Sequence, residues 1–479
     1  MAQTEQPSET ERKLQAENAE LKKRNAELQE QNRKLQKALN DALTALACAR
    51  KTSGTSSKPP SSDIVKARSK EADGKLLKRK IGAQPGHPRH ARAPFPPEQI
   101  AAVQDHRLDA CPDCGGTLRH TGVEAVIQQA ELVAQPVHIT EHRAWGCECA
   151  HCGAKHVAPF PAEVEQGGLS GPRLTSLAGY LKGACHASYS TLQKFCGEVL
   201  GLEFSRGYLA KIILQKTSRA LAQTHERLLA RLPLQTYLNV DETGHKQNGK
   251  LLQTWCFHAS CFTLFRVGLG RGSDVLLDTL GPNFTGILTC DYFSAYQKFS
   301  RDWDADLSFC WAHLIRDVRF LTTLPDAPTR GYGVRLLASI KDMFGCLHTR
   351  QSRLARQGAL LHHRAQIEAF ALQDVPNSAG ALNLARRFEN HANEYFRFIT
   401  LPRVAPTNNV AEQDERFVVI DRHITQGTRS TSGNRWCERI WTVTATCTRR
   451  GQSVLNFLRQ AITASFHGRP APSLLVNTS

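Results

Sequence analysis

Long apolar runs are missing from this 479-residue sequence, and none approaches the roughly 18 consecutive residues that a membrane-spanning helix needs. The N-terminus is charged and lacks the apolar core of a signal peptide. These two absences argue against an integral membrane protein and against an exported one. We therefore expect a soluble, intracellular protein with no membrane partner.

Acidic residues are in short supply, because 44 Asp and Glu stand against 61 Lys and Arg and leave a net charge of +17. This surplus favours a polyanionic partner, most simply nucleic acid, over a generically basic protein. Cysteine, in contrast, is abundant, with 15 residues. In an intracellular protein these cysteines indicate free thiols or metal ligands and not a disulfide framework.

The chain is too long for one hydrophobic core, so we expect a multidomain protein. The predicted segments are an N-terminal coiled-coil helix (1–50), a basic Ser/Pro-rich linker (51–98), a small zinc-binding domain (99–165), a helical region that could read DNA (166–233), the first part of an α/β catalytic core (234–322), a helical insertion (323–405), and the rest of the core with a helical tail (406–479).

A seven-residue leucine repeat predicts a helix over residues 10–50 with a coiled-coil seam. Its members are Leu14, Leu21, Leu28 and Leu35, and the alternate seam positions are Asn18, Asn25, Asn32 and Leu39. Buried Asn residues define a register at a cost in stability, so this coil is weak alone. The pattern favours self-association over an amphipathic helix that packs on its own protein.

The linker is basic and poor in core-forming residues. Between Lys51 and Phe95 there are 11 Lys or Arg and 3 Asp or Glu, which leaves a net charge of 11 − 3 = +8. Such a segment favours a flexible arm on DNA phosphates over a solvated tail.

Two Cys-x-x-Cys pairs, each followed by Gly, predict a structural zinc site. The four predicted thiolate ligands are Cys111, Cys114, Cys149 and Cys152. A strand pair at Ala125–Val133 and Val137–Trp145 could fill the gap between the pairs. Cys147 and His151 stay open as substitute ligands, and unmetallated cysteines are the plain alternative.

Residues 167–232 show helical patterns. Helices at Tyr189–Leu200 and Tyr208–Thr217 are joined by a turn with Gly201, and Ser205 is a candidate cap of the second. This arrangement suits a helix-turn-helix DNA reader, although any helical bundle has the same pattern.

Two short apolar runs end on acidic residues, Asp241 and Asp291, and we expect each run to be a strand with its carboxylate at the sheet edge. Between these positions the sequence predicts a turn at Gln247–Gly249, strands at Leu251–His258 and Phe262–Gly268, and a helix at Ser273–Leu280. After Asp291 it predicts a strand at Leu307–Cys310, a helix at Trp311–Leu321, helices through 325–400, and a helix at Val410–Val419.

Glu412 could bring a third carboxylate to the two aspartates. Three carboxylates at one sheet edge can bind two divalent cations, and oxygen ligands suit Mg²⁺. The alternatives are aspartates that cap turns and a Glu412 on a helix surface. Glu242 could replace Asp241 as ligand, but neighbours on a strand point to opposite faces, so only one should reach the metals.

Several motifs in this order resemble the transposases of the insertion sequence 66 family over nearly the whole chain. They are the leucine repeat, Ser56–Asp63, Gly82–His87, the two cysteine pairs, Val240–Thr243, Asp291–Tyr296, Cys310–Arg316 and Asn408–Glu412. The chain departs from the family at Thr407, where Asp is usual, and at Gln413–Arg416, where the basic spacing is missing.

The resemblance implies a DDE transposase with a ribonuclease-H-like core, in which Asp241, Asp291 and Glu412 are catalytic and hold Mg²⁺ or Mn²⁺. It implies nicking of the element's ends and attack of the freed 3′-hydroxyls on target DNA. His313 and Arg316 would contact the scissile phosphate, although packing is as good an explanation for His313.

The resemblance also implies the setting in which the protein works. It would act in the prokaryotic cytoplasm at the nucleoid, as a dimer or larger assembly on paired element ends, with accessory element-encoded proteins as candidate partners. Two other readings stay open, which are an inactive transposase-derived regulator that binds DNA and a nuclease that nicks DNA regardless of its end sequence.

Overall fold

The computed structural model describes residues 9–51 and 94–475, except 120–122, 124, 131, 134, 135, 269, 348, 350 and 351. Most of the predicted basic linker, with the motifs Ser56–Asp63 and Gly82–His87, lies outside the described residues. The described chain divides into two compact units, residues 94–142 and residues 9–51 with 143–475. No described helix is both long and apolar enough to cross a membrane.

The unit at 94–142 contains little regular structure in its described residues. A short 3-10 turn lies at Pro97–Gln99, and Gln128 bonds the backbone of Phe95 through both ends of its amide. The predicted strands at Ala125–Val133 and Val137–Trp145 are wrong, because their described residues form no strand. Apolar side chains there, such as Ile127 and Ile139, are exposed, so no packed face supports a sheet.

The N-terminal helix is confirmed as α1, Glu9–Ala49. Its repeat leucines are exposed, with Leu35 at 69% and Leu28 at 55%. The predicted coiled-coil self-association stays a prediction.

A short hairpin carries the second cysteine pair. Strands β1 (Gly146–Glu148) and β2 (Lys155–Val157) pair antiparallel, with Cys147 opposite His156. This hairpin, and not the predicted strand pair, is the regular structure next to the cysteines.

A group of helices precedes the sheet: α2 (Ala162–Gly167), α3 (Pro172–Gly183), α4 (Tyr189–Leu200), α5 (Arg206–Lys211) and α6 (Ser218–Leu229). The bounds of α4 and the cap by Ser205, which accepts from the Tyr208 amide, are confirmed. The predicted end at Thr217 is wrong, because a π-helical turn at Ile212–Thr217 continues α5 into α6. The helix-turn-helix reading stays a prediction.

A five-stranded mixed sheet forms the centre of the larger unit. Its elements are β3 (Tyr237–Gln247), β4 (Lys250–His258), β5 (Thr263–Gly268), α7 (Ser273–Leu280), β6 (Ile287–Cys290), α8 (Ser294–Trp303), β7 (Asp306–Phe309) and α9 (Trp311–Leu321). The strand order is β5-β4-β3-β6-β7, with the first three antiparallel and β3, β6 and β7 parallel. This sheet with its helices is consistent with a ribonuclease-H-like core.

The first strand of the sheet is longer than the sequence suggested. Asp241 is the fifth residue of β3 and does not end it, because residues 242–247 continue to pair with β4. The predicted turn before β4 is confirmed, with Asn248 at φ 48° and Gly249 at φ 80° between Gln247 and its partner Lys250. Two residues with positive φ are what a tight two-residue hairpin requires.

Helices make up the rest of the chain: α10 (Ala327–Leu347), α11 (Arg353–Leu372), α12 (Ala379–Thr400), α13 (Asn409–Thr425), α14 (Thr431–Arg449) and α15 (Val454–Phe466). The predicted helices between 325 and 400, with a break near residue 374, are confirmed. Trp311 anchors this helical stretch to α9, because its indole donates to the Tyr395 carbonyl and packs on Phe388 and Phe396.

Helix α14 covers the free edge of the sheet with side-chain acceptors. The Thr446 hydroxyl accepts a hydrogen bond from the Thr263 amide at 3.2 Å. The Thr442 hydroxyl accepts one from the Phe265 amide at 3.0 Å. Glu438, one turn earlier, accepts the amide of Val267 at 2.8 Å. Residues four apart on a helix lie above one another, so this row matches the alternate amides of an edge strand.

This edge predicts the effect of replacing a threonine in α14. Thr442→Val leaves the buried Phe265 amide without an acceptor, which should lower the free energy of unfolding by about 1–3 kcal/mol. Thr444→Val is the matched control, because the buried Thr444 hydroxyl has no hydrogen-bond partner in the described structure. Urea unfolding of both variants is the measurement, and equal losses would contradict the capping role of Thr442.

Candidate active site

The sheet register brings the two predicted aspartates together. Strands β3 and β6 run parallel and pair Asn239 with Thr289. Asp241 and Asp291 each follow that pair by two residues, so they lie at the same level along the sheet, Asp241 within β3 and Asp291 directly after β6. Parallel strands present their carboxyl ends at one sheet edge, which is the usual place for ligands in such sheets.

The pleat of β3 separates Asp241 from Glu242. Asn239 and Thr243, which share a face with Asp241, bond to Asn408 and to Arg422 of α13. Glu242 points to the other face, where Arg271 donates to it at 2.6 and 2.8 Å. The two neighbours therefore lie on opposite faces, as the alternation of a strand predicts.

Glu242 is tightly held on its own side. Its second carboxylate oxygen accepts the hydroxyl of the fully buried Tyr296 at 2.5 Å. The Arg271 guanidinium stacks on the Phe293 ring, 4.1 Å from the centroid. An open cavity of about 570 Å³ begins here, and its lining includes the basic side chains Lys298 and Arg301. Asp274 also lines the cavity, and the three basic side chains are paired with the carboxylates of Glu242 and Asp302.

Helix α13 carries Glu412 to the face of Asp241. The side-chain amide of the fully buried Asn408 donates to the Val240 carbonyl at 2.8 Å and accepts from Asn239 at 3.0 Å. The helix begins at the next residue, so Glu412 lies in its first turn, where the helix dipole favours negative charge. Asn408 belongs to a motif of the sequence, but its joining role was not visible there.

Burial and like charges dominate the electrostatics of the site. Burial raises the pKa of Asp241 well above its usual range, and the charges of Glu242, Asp291 and Glu412 raise it further. Burial and the charge of Glu242 raise the pKa of Asp291 to about 6, against a lowering influence of His313 and of the Phe293 amide. A divalent cation is the natural counter-charge for such a cluster.

Glu415 is a fourth carboxylate that sequence analysis missed. It is buried one turn after Glu412, and one of its oxygens has no hydrogen-bond partner in the described structure. Burial raises its pKa well above the usual range, and the charges of Asp241 and Glu242 add to the effect. Its position three residues after Glu412 on a helix was the available signal.

His313 and Arg316 contact Glu412. The Nδ1 atom of His313 lies 3.8 Å from Oε1 of Glu412, and Nη2 of Arg316 lies 3.3 Å from Oε2. Burial lowers the pKa of His313. These positions fit residues that orient the glutamate, and the predicted contact with a phosphate stays a prediction.

Cys310 completes the closest group of ligand atoms in the site, and sequence analysis did not single it out. One ligand atom from each of Cys310, His313 and Glu412 lies within 4.8 Å of the others, and no other such trio of His, Cys, Asp or Glu occurs in the described structure. Asp241, Asp291 and Glu412 are therefore spread more widely. Two cations about 3.5–4 Å apart need ligands on both flanks, which a wider set can supply.

Each predicted zinc pair forms the same local turn. In the first, the Cys111 amide bonds the Gly116 carbonyl at 2.9 Å and Gly115 has φ 71°. In the second, the Cys149 amide bonds the Ala154 carbonyl at 2.8 Å and Gly153 has φ 70°. Positive φ in both turns explains the glycine after each pair.

The turns direct backbone amides at the leading sulfurs. Amides of Asp113 and Cys114 lower the pKa of Cys111, and those of Cys152 and His151 lower the pKa of Cys149. Such amides favour the thiolate, which is the form that binds metals.

Two family models match parts of the chain. A family model described as Transposase IS66 family matches residues 167–435, which is more than half of the chain. A second model, described as Family of unknown function (DUF6444), matches residues 4–93. No curated protein matches the chain.

The raised pKa of Asp291 predicts a stability cost without metal. A carboxyl with a higher pKa in the folded state than in the unfolded chain, about 3.9, destabilises the fold when it ionises. The loss should begin as the pH rises past about 4 and be complete above about 6. At pH 7.5 with a chelator, Asp291→Asn should gain up to about 3 kcal/mol in the free energy of unfolding.

Urea unfolding at pH 7.5 and pH 4 measures this effect, and the gain should shrink at the lower pH. Asp278→Asn, on the exposed side of α7, is the control and should change little at either pH. A gain of equal size at both pH values would contradict the electrostatic cause.

Proposed function

Because the chain belongs to the Transposase IS66 family, we propose that it is a DDE transposase that nicks the ends of its mobile element and joins them to target DNA. The proposed chemistry is two-metal phosphodiester cleavage and strand transfer. The observation that supports it most is the pairing of β3 with β6, which sets Asp241 and Asp291 at the same level of neighbouring strands. Asn408 joins the start of α13, which carries Glu412, to the same part of β3.

The proposed ligands are the side chains of Asp241, Asp291 and Glu412, with Mg²⁺ or Mn²⁺ as the cation. When bound, the cations would activate a water or a 3′-hydroxyl and stabilise the leaving oxygen. Asn408 fixes the distance between β3 and the start of α13. Arg316 holds one oxygen of Glu412, which leaves the other directed to the side of His313.

The cleft beside Glu242 is a proposed path for the DNA backbone. The cavity starts at Arg271, whose charge also lowers the pKa of Asp291. We therefore propose Asp241, and not Glu242, as the cation ligand, because Glu242 is paired with Arg271 on the other face of β3.

The remaining segments have proposed roles in assembly on DNA. The coiled-coil helix would join copies on paired element ends, and the basic linker would bind phosphates. Protein of this kind would act at the prokaryotic nucleoid, with accessory element-encoded proteins as further partners. The domain division from the sequence stays part of this proposal.

A structural Zn²⁺ held by Cys111, Cys114, Cys149 and Cys152 belongs to the same proposal. The matching local turns of the two pairs support it, because each turn directs backbone amides at a sulfur and offers two candidate thiolates. Cys147 and His151 stay open as substitute ligands, because both are exposed, as are Cys114 and Cys152 of the two pairs.

A DNA-binding regulator without catalysis is the second candidate. Gln413–Arg416 lacks the basic spacing of the family, and within it Glu415 adds a buried acidic side chain beside Asp241. Binding of the element ends without any metal-dependent nicking would favour this regulator. A nuclease would instead nick regardless of end sequence and give no joined product.

The proposal predicts different effects for two glutamates. Glu412→Gln removes a cation ligand, so metal-dependent nicking of the element ends should fall at least about 100-fold, while DNA binding remains. Glu242→Gln weakens the pair with Arg271 on the other face and should retain most of the nicking. Gel assays of labelled end fragments in Mg²⁺ measure both, and the reverse ranking would sink the ligand assignment.

The zinc proposal predicts about one Zn²⁺ per chain at the two cysteine pairs. Cys114→Ser should lower this content, because it removes one of four ligands, whereas Cys185→Ser should leave it unchanged, since Cys185 is an exposed cysteine outside both pairs. Elemental analysis of the purified proteins measures the metal. Equal zinc content in both variants would rule out the assigned ligands.

A further inference from the structure

Cys310, His313 and Glu412 form a group with ligand chemistry unlike that of a magnesium site. Cys310 immediately precedes α9, His313 lies in the first turn of α9, and Glu412 lies in the first turn of α13. Their sulfur, nitrogen and oxygen atoms lie within 4.8 Å of one another. Thiolate and imidazole select zinc-class ions, whereas Mg²⁺ prefers oxygen ligands alone.

Two of the three ligand atoms lack a hydrogen-bond partner. His313 is 8% exposed, and its buried Nδ1 accepts or donates no bond within the described structure. Oε1 of Glu412 is also buried without one. These atoms lie 3.8 Å apart, so they converge on a common point. Unsatisfied buried polar atoms are costly, and a shared cation would satisfy both.

The sulfur of Cys310 is buried and accepts three backbone amides. The Asn408 amide lies 3.1 Å away, and the amides of His313 and Ala312 also bond it. Burial raises the pKa of Cys310 to about 11 against the lowering effect of these amides, so a bound cation is needed to favour the thiolate. The same pattern of amides on a leading sulfur occurs at Cys111 and Cys149.

The geometry needs only a small closure to bind an ion. Bond lengths of 2.0–2.3 Å place the ligands of a tetrahedral zinc roughly 3.3–3.8 Å apart. The His313–Glu412 distance is already 3.8 Å, and Arg316 holds the other oxygen of Glu412 away from the group. Three protein ligands leave a fourth position for water.

We propose that Cys310 Sγ, His313 Nδ1 and Glu412 Oε1 form a binding site for a zinc-class transition-metal ion. Binding would release the thiol proton of Cys310 to solvent, and a sulfur–metal bond would take its place. The binding claim stands on this geometry alone. Its consequence rests on the proposed function: the ion engages Glu412, so zinc would inhibit the Mg²⁺-dependent reaction by competition for that carboxylate.

Cobalt titration tests the binding claim directly, since Co²⁺ reports sulfur ligation by a charge-transfer band. The full-length protein is first loaded with one equivalent of Zn²⁺ to fill the predicted cysteine-pair site, and Co²⁺ is then added. We expect a further equivalent to bind with a sulfur–cobalt band. Cys310→Ser should lose the band, and His313→Gln should keep it with roughly tenfold or more weaker binding.

Cys447→Ser is the matched control, because Cys447 is also a buried free thiol but lies in α14 outside the site. It should titrate like the unchanged protein. The His313→Gln arm keeps the test valid if Cys310→Ser fails to fold. The proposal would be overturned if the unchanged protein showed no sulfur–cobalt band. It would also be overturned if the band were the same in Cys310→Ser and His313→Gln as in the unchanged protein.

An activity arm separates this inference from the proposed function. Added Zn²⁺ should inhibit Mg²⁺-dependent nicking, and His313→Gln should raise the inhibitory zinc concentration roughly tenfold or more. Inhibition that is equal in both proteins would overturn the competition. If nicking is absent altogether, the transposase proposal fails, while the cobalt result still decides whether the metal site exists.

Discussion

One buried side-chain amide, that of Asn408, joins the segments on which the site depends. Through its side chain it bonds Asn239 and Val240 of β3, and through its backbone it bonds the sulfur of Cys310 before α9. Asp291 is fixed to the same assembly by the pairing of β6 with β3. A fully satisfied buried polar network is rigid, so it can hold charged groups that would otherwise move apart. The helices between Asp291 and Glu412 are held to α9 by Trp311, whose indole donates to the Tyr395 carbonyl, so they do not disturb the contacts of Asn408.

The buried carboxylates of the site lower the free energy of unfolding, and packing elsewhere in the fold must offset this loss. Asp241, Asp291 and Glu415 all have raised pKa values, mainly because they are buried. Buried carboxylates that repel one another favour the binding of cations, and the basic side chains of the site neutralise only some of these carboxylates. Arg271 serves Glu242 and Arg316 serves Glu412, which leaves Asp241 without an ion-pair partner in the described structure. This imbalance is the physical case for divalent metal at the site.

The sequence allowed the elements with strong local signals to be predicted well. The helices at Ser273–Leu280 and Trp311–Leu321 have the predicted bounds, and so does the capped helix at Tyr189–Leu200. Local periodicity and caps carry this information within a few residues. The predicted end of β3 at Asp241 was wrong, because the strand continues to Gln247. Polar residues that follow Asp241 still pair with β4, and only the partner strand reveals this.

Part of the candidate site was predictable from local sequence signals. Its acidic residues were visible because strand-like runs and a recognisable family pattern mark them. Cys310, Glu415 and Asn408 acquire their surroundings from contacts between segments far apart in the sequence. Their positions in motifs or on a helix were visible, but these contacts were not. The turns after the cysteine pairs were predictable from glycine alone, whereas the strands expected between the pairs lacked an apolar face to pack on.

Metal-directed backbone cleavage would test most directly whether the three carboxylates form one cation site. Fe²⁺ is substituted for Mg²⁺ in the DNA-free protein, and peroxide then generates radicals that cut the chain next to the bound ion. Mass spectrometry of the fragments locates the cuts. The account predicts cuts near Asp241, Asp291 and Glu412 together, all suppressed by excess Mg²⁺ or Mn²⁺. Cuts near Glu412 and His313 without any near Asp241 and Asp291 would contradict a shared centre.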